Sequence, residues 1–381
     1  MEMASHAAIL ATYFTAHDVA RGAARAFSLD LRLGVATVLD TALVLLLALS
    51  PTGRALYDRC RRLPRPWLGD AAFLALVELC RSALALPLDW EFDLRNARAL
   101  GLSHETFARF LSLAGRDALF GAAAFALIGA TLPFVRAKLP KRWWLALAVA
   151  GSIVLVADVA MDPYRVELDY KLTPLAPGPL RTRIDQLIAA TNARVGEVVE
   201  ANVSKDSTEA NAYVMGFGPT KRLVLTDNLL ALGDDAVVGA VAHEIGHRRD
   251  RKLPFRLALS MGGLFALLWL LERTLRFGLA HGARSTAQAL PLFIAVFTLL
   301  NVASLPVRAA ISRHDERAAD TLELKTRKDL DAYVQEQVEL TRRDALEPDP
   351  GGFDRLLSTH PSPVERIARA LWYKARRGSG R

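Results

Sequence analysis

His243-Glu244-Ile245-Gly246-His247 sets two imidazoles one helical turn apart, with a carboxylate beside the first. Positions i and i+4 share a helix face, so both rings can reach one Zn²⁺ while Glu244 holds a water on it. Zinc lowers the pKa of such a water towards about 7, and the carboxylate takes its proton as it attacks a peptide carbonyl. With 8 histidines in 381 residues, chance yields this pattern in roughly one such chain in a hundred. The alternative, two histidines on a polar helix face, holds where a third ligand is missing.

Outward from this motif the chain alternates between polar blocks and apolar runs. Hydrophobic residues make up 52% and charged residues 23%, with a mean hydropathy of +0.19. Six runs approach the roughly 20 residues that a spanning helix needs: Leu33–Leu49, Trp67–Leu88, Leu119–Val135, Trp143–Met161, Leu253–Leu271 and Ala289–Ile311. The expected fold is an all-α polytopic membrane bundle carrying a zincin-like (gluzincin) catalytic region with a small β-hairpin or sheet. Its expected divisions are an N-terminal polar or amphipathic segment (1–32), four transmembrane helices (33–161), a catalytic region with the histidine helix (162–252), a two-span hairpin (253–311) and a C-terminal catalytic segment (312–381).

Within the polar block, the Pro-rich Leu172–Leu180 reads as a linker into a helix over Arg181–Ala193. Val195–Val203 has strand character, and Ala212–Phe217 and Arg222–Thr226 form a hairpin around Gly218-Pro219-Thr220-Lys221. The histidine helix is expected over Ala236–Arg249, and the Arg/Gly/Ser tail is expected to be disordered.

The net charge of +8 does not point to nucleic acid, because the arginines cluster at span ends, where anionic membrane lipids are the better partner. Short connections on both faces are basic, so the positive-inside rule gives no orientation. Cys60 and Cys80, the only cysteines, imply neither a disulfide framework nor a thiolate site. No cleavable leader is expected. Asp40, Glu78, Arg81 and Asp158 fall inside spans and should face protein or water, Glu78 and Arg81 pairing at i, i+3. They line an internal cavity or bridge helices.

No third histidine follows His247 at the spacing of the extended zinc motif. The fifth span begins about six residues after His247 and the sixth ends about five before Glu316, so a two-span hairpin returns Glu316 to the face of the histidines. Glu316 and Asp320 are i, i+4. A carboxylate ligand, with a second carboxylate orienting an imidazole, completes a His₂Glu site. The alternative for Glu316 is an interfacial charge near Arg313 and Arg317.

At these residues the chain resembles the CAAX prenyl protease type I family, integral-membrane zinc metalloendopeptidases, over nearly its whole length after the first thirty residues. The matching segments are Ser204-Lys-Asp-Ser-Thr-Glu-Ala-Asn-Ala-Tyr213, Lys221-Arg-Leu-Val-Leu-Thr-Asp-Asn-Leu-Leu230, Ala242–His247, Ser312-Arg-His-Asp-Glu-Arg-Ala-Ala-Asp320 and Thr359-His-Pro-Ser-Pro-Val-Glu-Arg366. The resemblance implies that Glu316 is the third ligand of one Zn²⁺ per chain. It also implies that the catalytic face is cytoplasmic and that the spans enclose a water-filled chamber. Arg317 and Arg248 stand where the family usually has aromatics, and an extra N-terminal span of some members is absent. These departures touch the substrate rather than the ligands.

Further candidates surround this set. Asn211 either clamps a substrate carbonyl or caps a strand start. With Tyr213 it opens a strand whose edge can pair with an extended peptide. His360 is either an oxyanion donor beside the metal or a capping or solvent-facing histidine. Arg366 is the alternative oxyanion donor, or orients a carboxylate.

The expected activity is peptide-bond hydrolysis on a peptide or protein substrate, lipidated or membrane-associated, as in CAAX prenyl proteases. Quality-control proteolysis of the HtpX type is one rival, and a membrane scaffold with structural zinc is another. A transporter lacks the paired broken-helix pattern.

Overall fold

The computed structural model describes residues 5–216, 220–249, 253–327 and 329–378. The helix Ala16–Leu49 opens on a capping box, Thr15 and Asp18 satisfying each other's backbone amides. The latter half of the segment expected as polar is therefore continuous with the first span. Pro66–Leu88 carries Pro87, which cannot donate to the preceding turn, and the helix loosens there into a π-helical turn, Asp89–Arg95, before Asn96–Ala99. Phe107–Lys138, Trp143–Asp169, Leu253–Ala280 and Thr286–Ala303 follow.

Among the described residues five helices are long and apolar enough to cross a membrane, and Trp143–Asp158 adds a shorter apolar stretch. Their outer faces leave Leu119, Phe120, Ile153 and Leu259 exposed, a surface that suits lipid and would aggregate in water. Their inner faces bury Val44, Phe73, Leu74, Val77, Trp143, Leu275 and Leu290. The intramembrane charges are bridged: Arg81 reaches Asp40 at 2.6 Å and Glu78 at 2.7 Å, and Thr298 reaches Asp40 at 3.2 Å. Asp158 pairs with Arg165.

The extramembrane part is built on a four-stranded sheet: β1 (Leu172–Pro174), β2 (Glu197–Ala201), β3 (Ala212–Met215) and β4 (Arg222–Thr226). The order is β1-β2-β4-β3, with β2 and β4 parallel and both outer pairs antiparallel. β1 comes from the stretch expected as a linker, its proline tolerated because the strand is short and at the edge. β3 and β4 pair as the expected hairpin; 217–219 of its turn lie outside the described residues, as do 379–381 of the expected disordered tail. Ile184, Val198, Val214, Leu223, Leu225, Val241 and Ile245 bury one face of the sheet against the helices Pro179–Ala190 and Asp234–Arg249.

The sixth predicted span, Ala289–Ile311, is not one helix. Thr286–Ala303 ends at Ser304, and a separate helix, Leu305–Thr326, begins with Pro306 in its first turn. Glu316 is thus carried by a second helix that starts after this break. The chain finishes with Leu330–Arg343, Gly352–Leu357 and Pro363–Gly378. A cluster of Ile9, Leu324, Leu330, Tyr333, Val364 and Ile367 ties these to the N-terminal helix His6–Tyr13.

Candidate active site

Gly246 allows two helices to meet at the site. A Cβ at this position would lie 2.7 Å from the Ala319 Cα and 3.2 Å from its carbonyl oxygen, so only glycine lets Asp234–Arg249 approach Leu305–Thr326 this closely. Ala319 on the other helix is equally small. His243 lies three residues before Gly246 and His247 directly after it, and Glu316 and Asp320 face them.

Three side chains that can each offer a ligand atom converge there. His243 Nε2 and His247 Nε2 are 3.1 Å apart, and the two oxygens of Glu316 lie 3.2 Å from them, one each. A tetrahedron with bonds of about 2.0 Å has edges of about 3.3 Å, so these spacings, two of them to different oxygens of Glu316, are those between ligands of one metal. The protonation pattern agrees. His243 Nδ1 sits 3.1 Å from Asp320 and 3.6 Å from Glu323, carboxylates that hold a proton on Nδ1 and turn Nε2 towards Glu316 and His247. Without a metal, the surrounding carboxylates hold the His243 ring in its protonated form; a divalent cation takes the place of the Nε2 proton. The donor set fits a divalent metal.

Charges around the triangle reinforce it. Burial works against ionisation of Glu316, but His243, His247 and His360 together hold its carboxyl far below the usual range. His360 Nδ1 lies 2.8 Å from Glu316, although its side chain is 62% exposed. Arg366 reaches Glu316 at 2.9 Å and Asp320 at 3.3 Å. Burial also opposes ionisation of Asp320, yet Arg366 and His243 keep its carboxyl low. Glu244 goes the other way. Burial pushes its carboxyl up, and the Glu316 charge adds to that, against the pull of both imidazoles and the Val214 amide.

A cavity of about 760 Å³ opens over this centre, with His243, Glu244, Asn211, His360 and Arg366 in its wall. Val214, in the middle of β3, hydrogen-bonds Glu244 through its amide, so the edge of the sheet runs beside the carboxylate. The backbone of Asn211 is held by Thr226, whose Oγ1 accepts its amide at 2.9 Å, and its side chain is exposed to the cavity. Tyr213 is not brought to the site. Its side chain packs against Val199, Met215 and Val224, the face of the sheet opposite Val214.

Sequence reasoning missed Glu323, which supplies a second carboxylate behind His243, and Arg369, which reaches Asp320 at 3.5 Å. The signal was present: Glu316, Asp320, Glu323 and Arg327 recur at spacings of four, three and four, a single charged face on an otherwise ordinary helix.

The model of peptidase family M48 matches residues 174–373, more than half of the chain and all of the centre just described. The chain belongs to peptidase family M48. It is a membrane metalloprotease, integral to the bilayer, with a metal cofactor and a peptide or protein substrate. The uncharacterized metalloprotease YhfN of Bacillus subtilis (strain 168) is 28% identical over 321 residues, covering 81% of this chain and 74% of that protein. A CAAX prenyl protease 1 homolog of Oryza sativa subsp. japonica is 30% identical over 190 residues, 47% of this chain. That match spans 43% of the rice protein. The fold is that of the crystal structure of S. mikatae Ste24p, with a TM-score of 0.74, 20% identity, and coverage of 83% of this chain and 80% of that one.

Proposed function

We propose that the chain is a zinc metalloendopeptidase in which His243, His247 and Glu316 hold one Zn²⁺ and Glu244 is the general base. The observation that carries this reading is the convergence of His243 Nε2, His247 Nε2 and the two Glu316 oxygens at spacings of 3.1 to 3.2 Å, beside the cavity that Glu244 also lines. Three protein ligands leave a fourth position open, which is the mark of a catalytic rather than a structural zinc. Bound there, zinc supplies a Lewis acid at the scissile carbonyl.

The remaining chemistry belongs to the chain. Glu244 accepts a proton from the attacking water as the new C–O bond forms, and donates it to the leaving amine as the C–N bond breaks. Its raised carboxyl pKa suits a group that must take the proton and then release it. Asp320, with Glu323 behind it, fixes the His243 tautomer, and Arg366 holds the Glu316 and Asp320 carboxylates in place. His360 stands beside Glu316 on the open side and is the candidate donor to the developing oxyanion. The β3 edge takes the substrate as an added strand, with Asn211 at its entrance.

The rice relative is named a CAAX prenyl protease 1 homolog, which supports a prenylated CAAX substrate; a cytoplasmic catalytic face is part of this proposal by family resemblance. Glu244→Gln tests the mechanism. It keeps the carbonyl oxygen but cannot take the proton, so zinc content and thermal midpoint stay at wild-type values while cleavage of a quenched peptide falls by about 10²–10⁴. Undiminished cleavage overturns the assignment. Comparing a farnesylated CAAX peptide with an unfolded membrane protein separates the prenyl substrate from quality-control proteolysis.

A further inference from the structure

We propose that the wall of the catalytic cavity that carries Asp30, Asp344, Glu347 and Asp354 is a subsite for a lysine or arginine side chain of the substrate, an inference that rests on the protease reading and narrows its substrate class. The chain as a whole is basic, with a net charge of +8, yet this cavity draws eight carboxylates and only two guanidiniums into its wall. Glu244 and Glu323 serve the catalytic end. Glu336 is paired with Arg327 at 2.6 Å, and Glu209 with Arg25 at 2.7 Å. Four acids remain: Asp30 from the first long helix, Asp344 and Glu347 from the loop after Leu330–Arg343, and Asp354 from Gly352–Leu357.

These four lack matching donors. The carboxyl groups of Asp30 and Asp354 lie within hydrogen-bond reach of each other. Asp344 Oδ1 and Glu347 Oε2 are shielded from solvent and accept no hydrogen bond. The arginines near Asp344 spend their donors elsewhere: Arg25 on Glu209 and the Asp344 carbonyl, Arg21 on the carbonyls of Arg342 and Leu100, and Arg343 on those of Thr208 and Asn228. Shielded carboxylate oxygens without donors are costly until a cation arrives.

A second observation points to a ligand in the same wall. Gln337 is only 7% exposed and lines the cavity, and among the described residues its side-chain amide has no hydrogen-bond partner. An amide there can bond a peptide main chain while the acids take the cationic side chain. A guanidinium, with five donors in a fork, matches several carboxylates at once, and an ammonium supplies three. The subsite shares one continuous cavity with Glu244, so a residue held in it belongs to the same bound peptide as the scissile bond.

The test uses the full-length, zinc-loaded protein and quenched peptides that differ at one position, carrying Lys, Gln or Glu, scanned along both sides of the scissile bond. At one position Lys should exceed Gln in kcat/KM by about tenfold or more, with Glu below Gln. The preference should shrink at high salt. In the double variant Asp344→Asn, Glu347→Gln the Lys-to-Gln ratio should fall towards one, and Asp354→Asn provides a second variant if the double does not fold. Binding of the same Lys and Gln peptides to Glu244→Gln by fluorescence anisotropy reads the subsite without turnover.

Equal treatment of Lys and Gln at every position, in cleavage and in binding, overturns the subsite and leaves the protease standing. A Lys preference that survives in the variants overturns it too. If no peptide is cleaved, the protease reading fails, and the binding arm still decides whether the acidic wall selects a cation.

Discussion

Replacing Gly246 by alanine adds one methyl group where the histidine helix meets the helix that carries Glu316. The new Cβ would lie 2.7 Å from the Ala319 Cα, whereas carbon–carbon contacts settle near about 3.5–4.0 Å. Both atoms belong to helices, so neither can rotate away, and the helices must separate by about 1 Å. Overpacking of this kind costs about 1–3 kcal/mol, and the better helix propensity of alanine returns about 0.8–1.0 kcal/mol. The net loss of stability is therefore modest, about 0–2 kcal/mol.

The metal site is far less tolerant. The Glu316 oxygens now stand 3.2 Å from each imidazole, and a retreat of about 1 Å exceeds the roughly 0.2 Å latitude of metal–ligand distances. Gly246→Ala should therefore fold, with a thermal midpoint only slightly lowered, yet bind zinc about 10–100-fold more weakly by chelator competition, with peptide cleavage falling in parallel. Gly262→Ala is the control, because nothing lies within 4 Å of a Cβ there, and it should match wild type. Wild-type zinc affinity in Gly246→Ala would refute the claim that this helix approach sets the ligand triangle.

Asp320→Ala leaves His243 Nδ1 without its nearest carboxylate, so zinc affinity should drop about 10–100-fold, read by the same competition. Gly239→Ala would drive a Cβ to within 1.6 Å of the Arg327 guanidinium, breaking its buried pairs with Glu323 and Glu336; a loss of about 3–5 kcal/mol in chemical unfolding is expected. Glu336 has its carboxyl pushed up to about 8, burial outweighing the pull of Arg327. The folded state therefore holds a proton that the unfolded chain releases near about 4.3. Its contribution to stability is whole below that pH and declines as pH rises to about 8. Glu336→Gln should flatten this slope in thermal unfolding followed across that range.

Parts of this molecule were legible before any coordinates because they rest on local rules. Apolar length marked the spans, i and i+4 spacing put His243 and His247 on one face, and two short apolar runs around Gly218-Pro219-Thr220-Lys221 marked the β3–β4 hairpin. Other parts depend on packing that no local rule reports. The apolar run Ala289–Ile311 reads as one helix because hydropathy is blind to the break at Ser304, although Leu305-Pro306 carried a signal for a new helix start. β1 hid inside a Pro-rich stretch that looked like a linker. Tyr213 looked like a site residue because it lies close to Asn211, but Asn211 precedes the strand and Tyr213 packs into the cluster of Val199, Met215 and Val224. Arg366, fifty positions from Glu316, reaches it only because the last helix packs beside the histidine site, and Glu323 matters only once the tilt of its helix is known.

The central claim is a single coordination sphere, and anomalous diffraction at the zinc absorption edge from crystals of the purified protein tests it most directly. The account predicts one zinc per chain, about 2.0–2.2 Å from His243 Nε2, His247 Nε2 and a Glu316 oxygen, with no fourth protein ligand. A zinc closed by four protein side chains, or one that Glu316 does not touch, would contradict it.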